Sequence, residues 1–146
     1  MRSKSHKIAV CLGWLGAIPF VGSALMSFTN DPALIFLSAE LASRYGLAIV
    51  IFLGSVHWGI AMTDQSYSSS LRYLWSVTPA LIATLVFFIE PASSLLIVIG
   101  LLIICWGVDM MFYLNTALPA WYSRLRHGLT LTAVISLTIV AVRLPV

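Results

Sequence analysis

Apolar residues fall into five long runs along this chain, and most of the charged residues lie between those runs. The runs cover residues 8–28, 45–62, 71–89, 94–114 and 127–142. A helix that crosses the hydrocarbon core of a bilayer needs about 20 mostly apolar residues, so each run meets or approaches that length. Because 60% of the residues are hydrophobic and only 9% are charged, a water-soluble domain could not cover its surface with polar groups. We therefore predict an all-α membrane protein, with five transmembrane helices in one bundle formed by residues 1–146.

The segment between the first two runs has its own helix signals. Asp31 followed by Pro32 is a typical helix start, and Glu40 and Arg44 form an i, i+4 pair. A helix continued from here through the second run would exceed the thickness of a bilayer core, which is about 30 Å. The sequence therefore predicts a short interfacial helix, with a bend at residues 43–46 before the second span.

The basic residues predict an orientation. With the N-terminus inside, the cytoplasmic side carries six basic residues and the outer side two. These are Arg2, Lys4, Lys7, Arg72, Arg124 and Arg126 against Arg44 and Arg143. The positive-inside rule then places the N-terminus in the cytoplasm and the C-terminus in the periplasm of a bacterial inner membrane. Since these residues lie at the ends of apolar runs, they do not form the basic patch of a nucleic-acid-binding protein.

Cysteine usage and motifs exclude several kinds of site. Cys11 and Cys105 both lie within apolar runs and show no Cys-x-x-Cys spacing, so neither a disulfide framework nor a zinc site is predicted. No serine or cysteine lies in an activating motif. We therefore predict no catalytic residues, no metal and no required cofactor.

Two ionisable residues lie well inside the apolar runs. His57 is in the second run and Asp109 is in the fourth, each six positions before the residue that follows its run, Thr63 or Asn115. Alternate spans run in the same direction, so both side chains are predicted about 9 Å from the same end of the bundle. An aspartate in hydrocarbon costs several kcal/mol unless it is paired or neutralised. We expect the two side chains to face the interior and to meet.

Aromatic residues suggest two further clusters. Around the pair, Trp58, Trp106 and Tyr113 are the candidate walls of a ligand or proton site. The loop before the fifth run holds the candidates for cytoplasmic headgroup or anion contacts, namely Trp121, Tyr122, Arg124, Arg126 and His127.

Several of these segments resemble a known family. The stretches "YGLAIVIFLGSVHWGIAM", "SVTPAL" and "LPAWYSRLRHGLT", with an aspartate late in the fourth span, are similar to the transmembrane protein 69 family, also called domain of unknown function 3429. The resemblance covers residues 13–142. It implies a short five-span protein of bacteria or mitochondria and supplies no activity. The positions that match are His57, Trp58, Asp109, Trp121, Tyr122, Arg124 and Arg126.

Three functional hypotheses follow. The first is an accessory, assembly or structural membrane protein, in which His57 and Asp109 form an internal clamp and the partner is a membrane complex or a second copy of the chain. The second is a site near the pair for a small hydrophobic ligand such as a quinone, isoprenoid or lipid, entered from the cytoplasmic leaflet. The third is proton-coupled transport through the pair. In all three the lipid bilayer is the surrounding partner and nucleic acid is not.

Overall fold

The computed structural model describes the backbone of residues 2–63, 68–114 and 120–144, and the side chains of residues 6–63, 70–112 and 120–144. Regular structure in these ranges is helical throughout, which confirms the predicted fold class. The helices are α1 Arg2–Leu15, α2 Ile18–Met26, α3 Pro32–Thr63, α4 Ser68–Val86, α5 Pro91–Leu114 and α6 Ala120–Arg143.

The lengths and surfaces of these helices suit a bilayer. Within the described ranges, four stretches are long and apolar enough to cross a membrane. They are His6–Met26, Pro32–Thr63, Pro91–Phe112 and Ala120–Arg143. Helix α4 has 19 residues, or about 28 Å of helix. Large apolar side chains also lie on the outside of the bundle, with Leu85 72% and Phe88 82% exposed, as expected where lipid is the solvent.

Helix α3 is central, since it packs against α2, α4, α5 and α6. Gly46 of α3 lies against Val98 of α5, and further along both helices His57 contacts Asp109. Because residue numbers increase in the same direction along both helices from one contact to the other, α3 and α5 run parallel.

Helices α3 and α4 approach closely and run antiparallel. A Cβ atom at Gly54 would lie 2.7 Å from the backbone carbonyl oxygen of Ser76, so only glycine fits there. Nearer the start of α3, Arg44 donates a hydrogen bond to the carbonyl of Phe87, just beyond the end of α4. From the first contact to the second, residue numbers decrease along α3 and increase along α4, so the two helices are antiparallel.

The first apolar run is divided between two helices rather than forming one. Residues 16–17 separate α1 from α2, and Pro19 is in the first turn of α2, where its missing N–H is tolerated. The hydroxyl of Tyr45 donates to the carbonyl of Gly16 at 2.7 Å. A side chain of α3 thus satisfies a backbone acceptor at the break, which would otherwise be costly in lipid.

The structure shows one helix where the sequence predicted an interfacial helix followed by a bend and the second span. Helix α3 is continuous over 32 residues, or about 48 Å, and so is longer than a hydrocarbon core. Gly46 makes room for α5, because a Cβ there would lie 2.5 Å from Cγ1 of Val98. Ser43 likewise stays within the helix, its hydroxyl donating to the carbonyl of Glu40 at 3.0 Å.

Two helices begin with an acid followed by proline. The carboxylate of Asp31 accepts from the N–H of Ala33 at 2.9 Å, which confirms the helix start predicted at this position. At α5, Glu90 accepts from the N–H groups of Ala92 at 3.2 Å and Ser93 at 3.0 Å. These acceptors satisfy N–H groups that have no partner within the first turn.

Two arginines bind backbone carbonyls at the opposite end of the bundle from His57. Arg44 bonds the carbonyl of Phe87 and lies 4.4 Å from the centre of that ring. Nε of Arg143 donates to the carbonyl of Ser27 at 3.2 Å. Both carbonyls lie just after the last residue of a helix. Carbonyl groups there have no N–H donor within the helix.

Candidate functional site

Three ionisable side chains meet inside the bundle, one from each of α3, α5 and α6. His57, Asp109 and Arg126 are 3%, 5% and 6% exposed. Nε2 of His57 lies 2.8 Å from Oδ1 of Asp109. Nε of Arg126 donates to the other carboxylate oxygen, Oδ2. We call these residues the polar trio.

The contact between His57 and Asp109 agrees with the equal depth predicted from the sequence. A buried carboxylate is tolerated here because each oxygen accepts a hydrogen bond and a guanidinium balances its charge. Arg126 is held further by a bond from Nη1 to the hydroxyl of Thr130 at 2.9 Å. Asp109 therefore joins α3 to α6 through α5.

The hydrogen bonds identify the tautomer of His57. A carboxylate can only accept, so Nε2 must carry the proton. Nδ1 is buried and has no hydrogen-bond partner in the described part of the chain. A proton on Nδ1 as well would leave a buried N–H donor unsatisfied, which is costly. The neutral imidazole with hydrogen on Nε2 fits these contacts, and the trio then has no net charge.

A second buried arginine lies near the trio. Arg72 of α4 is 0% exposed, and its guanidinium carbon lies 4.3 Å from the centre of the Phe112 ring. The same ring is 5.1 Å from the imidazole of His57, measured between ring centres. Arg72 therefore connects α4 to the face of Phe112, through a cation–π contact that desolvation strengthens.

Of the aromatic residues predicted around the pair, Trp58 and Trp106 contact other rings. Trp58 is 48% exposed and packs edge-on against Tyr73, with 5.0 Å between ring centres. Trp106 packs edge-on against His127 at 5.4 Å. The side chain of Tyr113 lies outside the described residues. The structure thus does not place Trp58 or Trp106 between the two ionisable groups.

The five residues predicted as headgroup or anion contacts divide into two groups. Arg124 and His127 are exposed, and Nδ1 of His127 donates to the carbonyl of Ser123 at 2.6 Å. Trp121 and Tyr122 are partly buried and pack edge-on at 6.2 Å. Arg126 is buried in the trio, so its assignment to the membrane surface was wrong.

The reason for that error is the start of α6. The apolar run begins at His127, but the helix begins at Ala120, directly after Pro119 in the sequence. Arg126 is therefore six residues inside the helix, about 9 Å from its start, rather than in the loop. A proline just before a polar stretch is a usual helix start and was the available signal.

The burial of Arg72 was not predicted either, because Arg72 also lies near one end of an apolar run. Its position near the start of the third apolar run suggested a surface cation, yet the structure buries it completely. The orientation count changes accordingly, because Arg72 and Arg126 lie in the bundle rather than at the headgroups. Four basic residues remain on the predicted inner side against two on the outer side.

The described residues hold no group of three or more His, Cys, Asp or Glu side chains placed to bind a metal ion. Cys11 and Cys105 are both free thiols. Cys105 is buried one turn before Asp109 on α5 and is 2% exposed.

A cavity of about 360 Å³ lies beside the trio. Its walls come from α1, α2, α3, α5 and α6, and most of its lining is apolar. Arg126 and Thr130 form part of one wall, and Trp121 and Tyr122 lie on the same helix nearby.

Comparison with known proteins identifies a family and a similar relative. The family described as "Protein of unknown function (DUF3429)" matches residues 5–142. Transmembrane protein 69 of Xenopus tropicalis is 33% identical over 141 residues, which cover 90% of this chain and 52% of that protein. The chain therefore spans about half the length of this relative. No solved structure matches. With nearly the whole chain matched, this protein belongs to the DUF3429 family of membrane proteins, which also includes transmembrane protein 69.

Proposed function

We propose that this chain is a structural or accessory protein of the bacterial cytoplasmic membrane, in which the polar trio fixes the relative positions of three helices. The observation that carries this proposal is the bonding of Asp109. Its two oxygens accept from His57 on α3 and from Arg126 on α6. A carboxylate whose two oxygens are both bonded suits a clamp better than a general base.

Transport or ligand binding directly at His57 and Asp109 is less favoured. A proton carrier must exchange protons with both sides of the membrane, whereas these two side chains are 3% and 5% exposed. A ligand between them would first have to break a 2.8 Å hydrogen bond. The closed pair therefore supports the clamp.

We also propose five membrane crossings with the N-terminus in the cytoplasm. Helix α4 runs antiparallel to α3 between the two ends of the bundle, and its 19 residues nearly match a hydrocarbon core of about 30 Å. The remaining basic residues on the N-terminal side support this orientation. Two reporter fusions at the C-terminus test it. Alkaline phosphatase, which is active only in the periplasm, should be active there. A fluorescent protein that folds only in the cytoplasm should be dark.

The clamp can be tested separately from any chemistry at the same residues. The double variant Asp109→Leu/Arg126→Met removes both charges and keeps apolar volume, whereas Asp109→Asn leaves the Arg126 cation unpaired. The proposal predicts that the wild type, solubilised mildly from native membranes, forms homo-oligomers or complexes. These should be lost in Asp109→Asn and recovered in the double variant. Arg124→Met, an exposed change of the same kind, should leave them intact.

Two results would contradict the clamp. One is a double variant that folds like the wild type but still fails to form the same assemblies. The other is a proton or solute flux in proteoliposomes that the folded double variant lacks, which would support transport through the pair instead.

A further inference from the structure

The cavity beside the trio opens towards lipid rather than towards the trio's closed pair. Leu12 on α1 and Phe52 on α3 both line it, and both are 62% exposed, so its rim reaches the apolar outer surface. Helix α1 packs against α6, on the other side of the opening. A molecule dissolved in the bilayer could thus enter between α1 and α3 without crossing a polar layer.

One polar group in the wall is incompletely bonded. Arg126 lines the cavity with Thr130, and its Nη2 is buried without a hydrogen-bond partner in the described residues. Its Nε and Nη1 are already bonded, to Asp109 and Thr130. A buried N–H donor without an acceptor costs free energy that an oxygen atom of a ligand would recover.

Charge balance limits what that ligand can be. Asp109 already neutralises Arg126, so a carboxylate or phosphate would bring an uncompensated negative charge into an apolar cavity. A neutral carbonyl oxygen accepts the same hydrogen bond without that cost. The polar group of the ligand is therefore expected to be an uncharged carbonyl.

The shape of the lining favours a flat ring. Four aromatic side chains face the cavity, namely Phe20, Phe52, Trp121 and Tyr122. Aromatic walls pack well against another planar π system. The volume of about 360 Å³ falls at the lower end of small-molecule sites, which run from about 300 to 1,000 Å³. This is room for a ring-sized head, with any longer tail left in the lipid.

We propose that this cavity binds the head of a neutral, membrane-dissolved quinone, with a ring carbonyl accepting from Arg126. The site is distinct from the space between His57 and Asp109, which is closed. It is also independent of the clamp, because binding uses the free N–H of Arg126 and leaves its bonds to Asp109 and Thr130 in place.

The test uses the purified full chain in lipid nanodiscs and a ubiquinone with a single isoprene unit as the probe. Binding should raise the unfolding temperature and quench the fluorescence of Trp121, which lies in the wall. The quenching should fall in Trp121→Phe, because this variant lacks the tryptophan that lines the cavity. Dioctanoylglycerol, with ester carbonyls but no ring, and octanoate, with a charge, serve as comparison ligands.

Two variants locate the site. Ala9→Phe places a ring at the cavity wall, where Ala9 lies, and should abolish the response. Ala48→Phe makes the same change at an exposed position of α3 outside the cavity and should bind like the wild type. Asp109→Leu/Arg126→Met removes the donor and should weaken quinone binding by about 10-fold to 100-fold, as expected for one charge-assisted hydrogen bond.

The proposal is overturned if the quinone gives no response in the wild type, or if Ala9→Phe and Ala48→Phe respond alike. It is also overturned if only dioctanoylglycerol or only octanoate stabilises the chain. None of these results affects the clamp, whose test is assembly in the absence of added ligand.

Discussion

The polar trio makes a quantitative prediction, because its two charges are buried together and can be removed singly or in pairs. Asp109→Asn leaves the guanidinium of Arg126 in a site that is 6% exposed. Removing one partner of a buried ion pair costs about 3–5 kcal/mol of the free energy of unfolding. Replacing both partners by apolar groups of similar volume is often close to neutral.

We therefore expect Asp109→Asn and Arg126→Met each to lower the free energy of unfolding by about 3 kcal/mol or more. The double variant Asp109→Leu/Arg126→Met should lose the bond from His57 to Asp109 and, within α6, the bond from Arg126 to Thr130. Interhelical hydrogen bonds in membranes contribute about 0.6–2 kcal/mol, so a loss in that range is expected. The two single losses are then far from additive, which is the signature of a direct interaction.

The assay is reversible unfolding of the purified chain in mixed micelles, with increasing denaturing detergent and helix content followed by circular dichroism. Arg124→Met is the matched control, since Arg124 is exposed, and should change the free energy of unfolding by less than about 0.5 kcal/mol. Additive losses in the double variant would refute the reasoning. So would single variants as stable as the control.

Three further predictions use the same unfolding assay. Gly54→Ala should be destabilising, because its Cβ would lie 2.7 Å from the carbonyl oxygen of Ser76. Gly59→Ala has nothing within 4 Å of its Cβ and should be neutral or stabilising by up to about 1 kcal/mol. Equal effects of the two substitutions would contradict the close packing at Gly54. Tyr45→Phe removes the hydroxyl that donates to the carbonyl of Gly16, between α1 and α2. This substitution should lower the free energy of unfolding by about 1 kcal/mol. An unchanged free energy of unfolding would mean that this hydrogen bond is not formed in the membrane. Hydrogen bonds from the side chain and backbone of Ser93 hold the pKa of Glu90 below its ordinary value. The contribution of Glu90 to the free energy of unfolding should therefore be complete above about pH 4.3, the pKa in the unfolded chain. It should be lost as the pH falls through the lower pKa of the folded chain. The stability difference between wild type and Glu90→Gln should thus be present at neutral pH and vanish in acid, and a difference independent of pH would contradict the cap.

The features that the sequence predicted correctly depend on periodicity and depth. The helical class follows from long apolar runs, and the meeting of His57 and Asp109 follows from counting residues along two parallel helices. Such counting needs no knowledge of how the helices pack, because the bilayer fixes their direction.

The features that it did not predict depend on where helices end and how closely they pack. Arg126 joined the trio because α6 begins seven residues before its apolar run. Gly46 was assigned to a predicted bend, and its close contact with Val98 was not predicted. The cavity depends on gaps among five helices, and no local pattern of residues specifies such gaps.

The most direct test of the clamp is a distance measured in lipid. Magic-angle-spinning NMR on labelled protein in bilayers can measure the separation between Nε2 of His57 and the carboxyl carbon of Asp109. A hydrogen bond of 2.8 Å between nitrogen and oxygen predicts a separation below about 4 Å, with the proton on Nε2 and Nδ1 bare. A separation well above that value, or an imidazole that carries its proton on Nδ1, would contradict the closed trio.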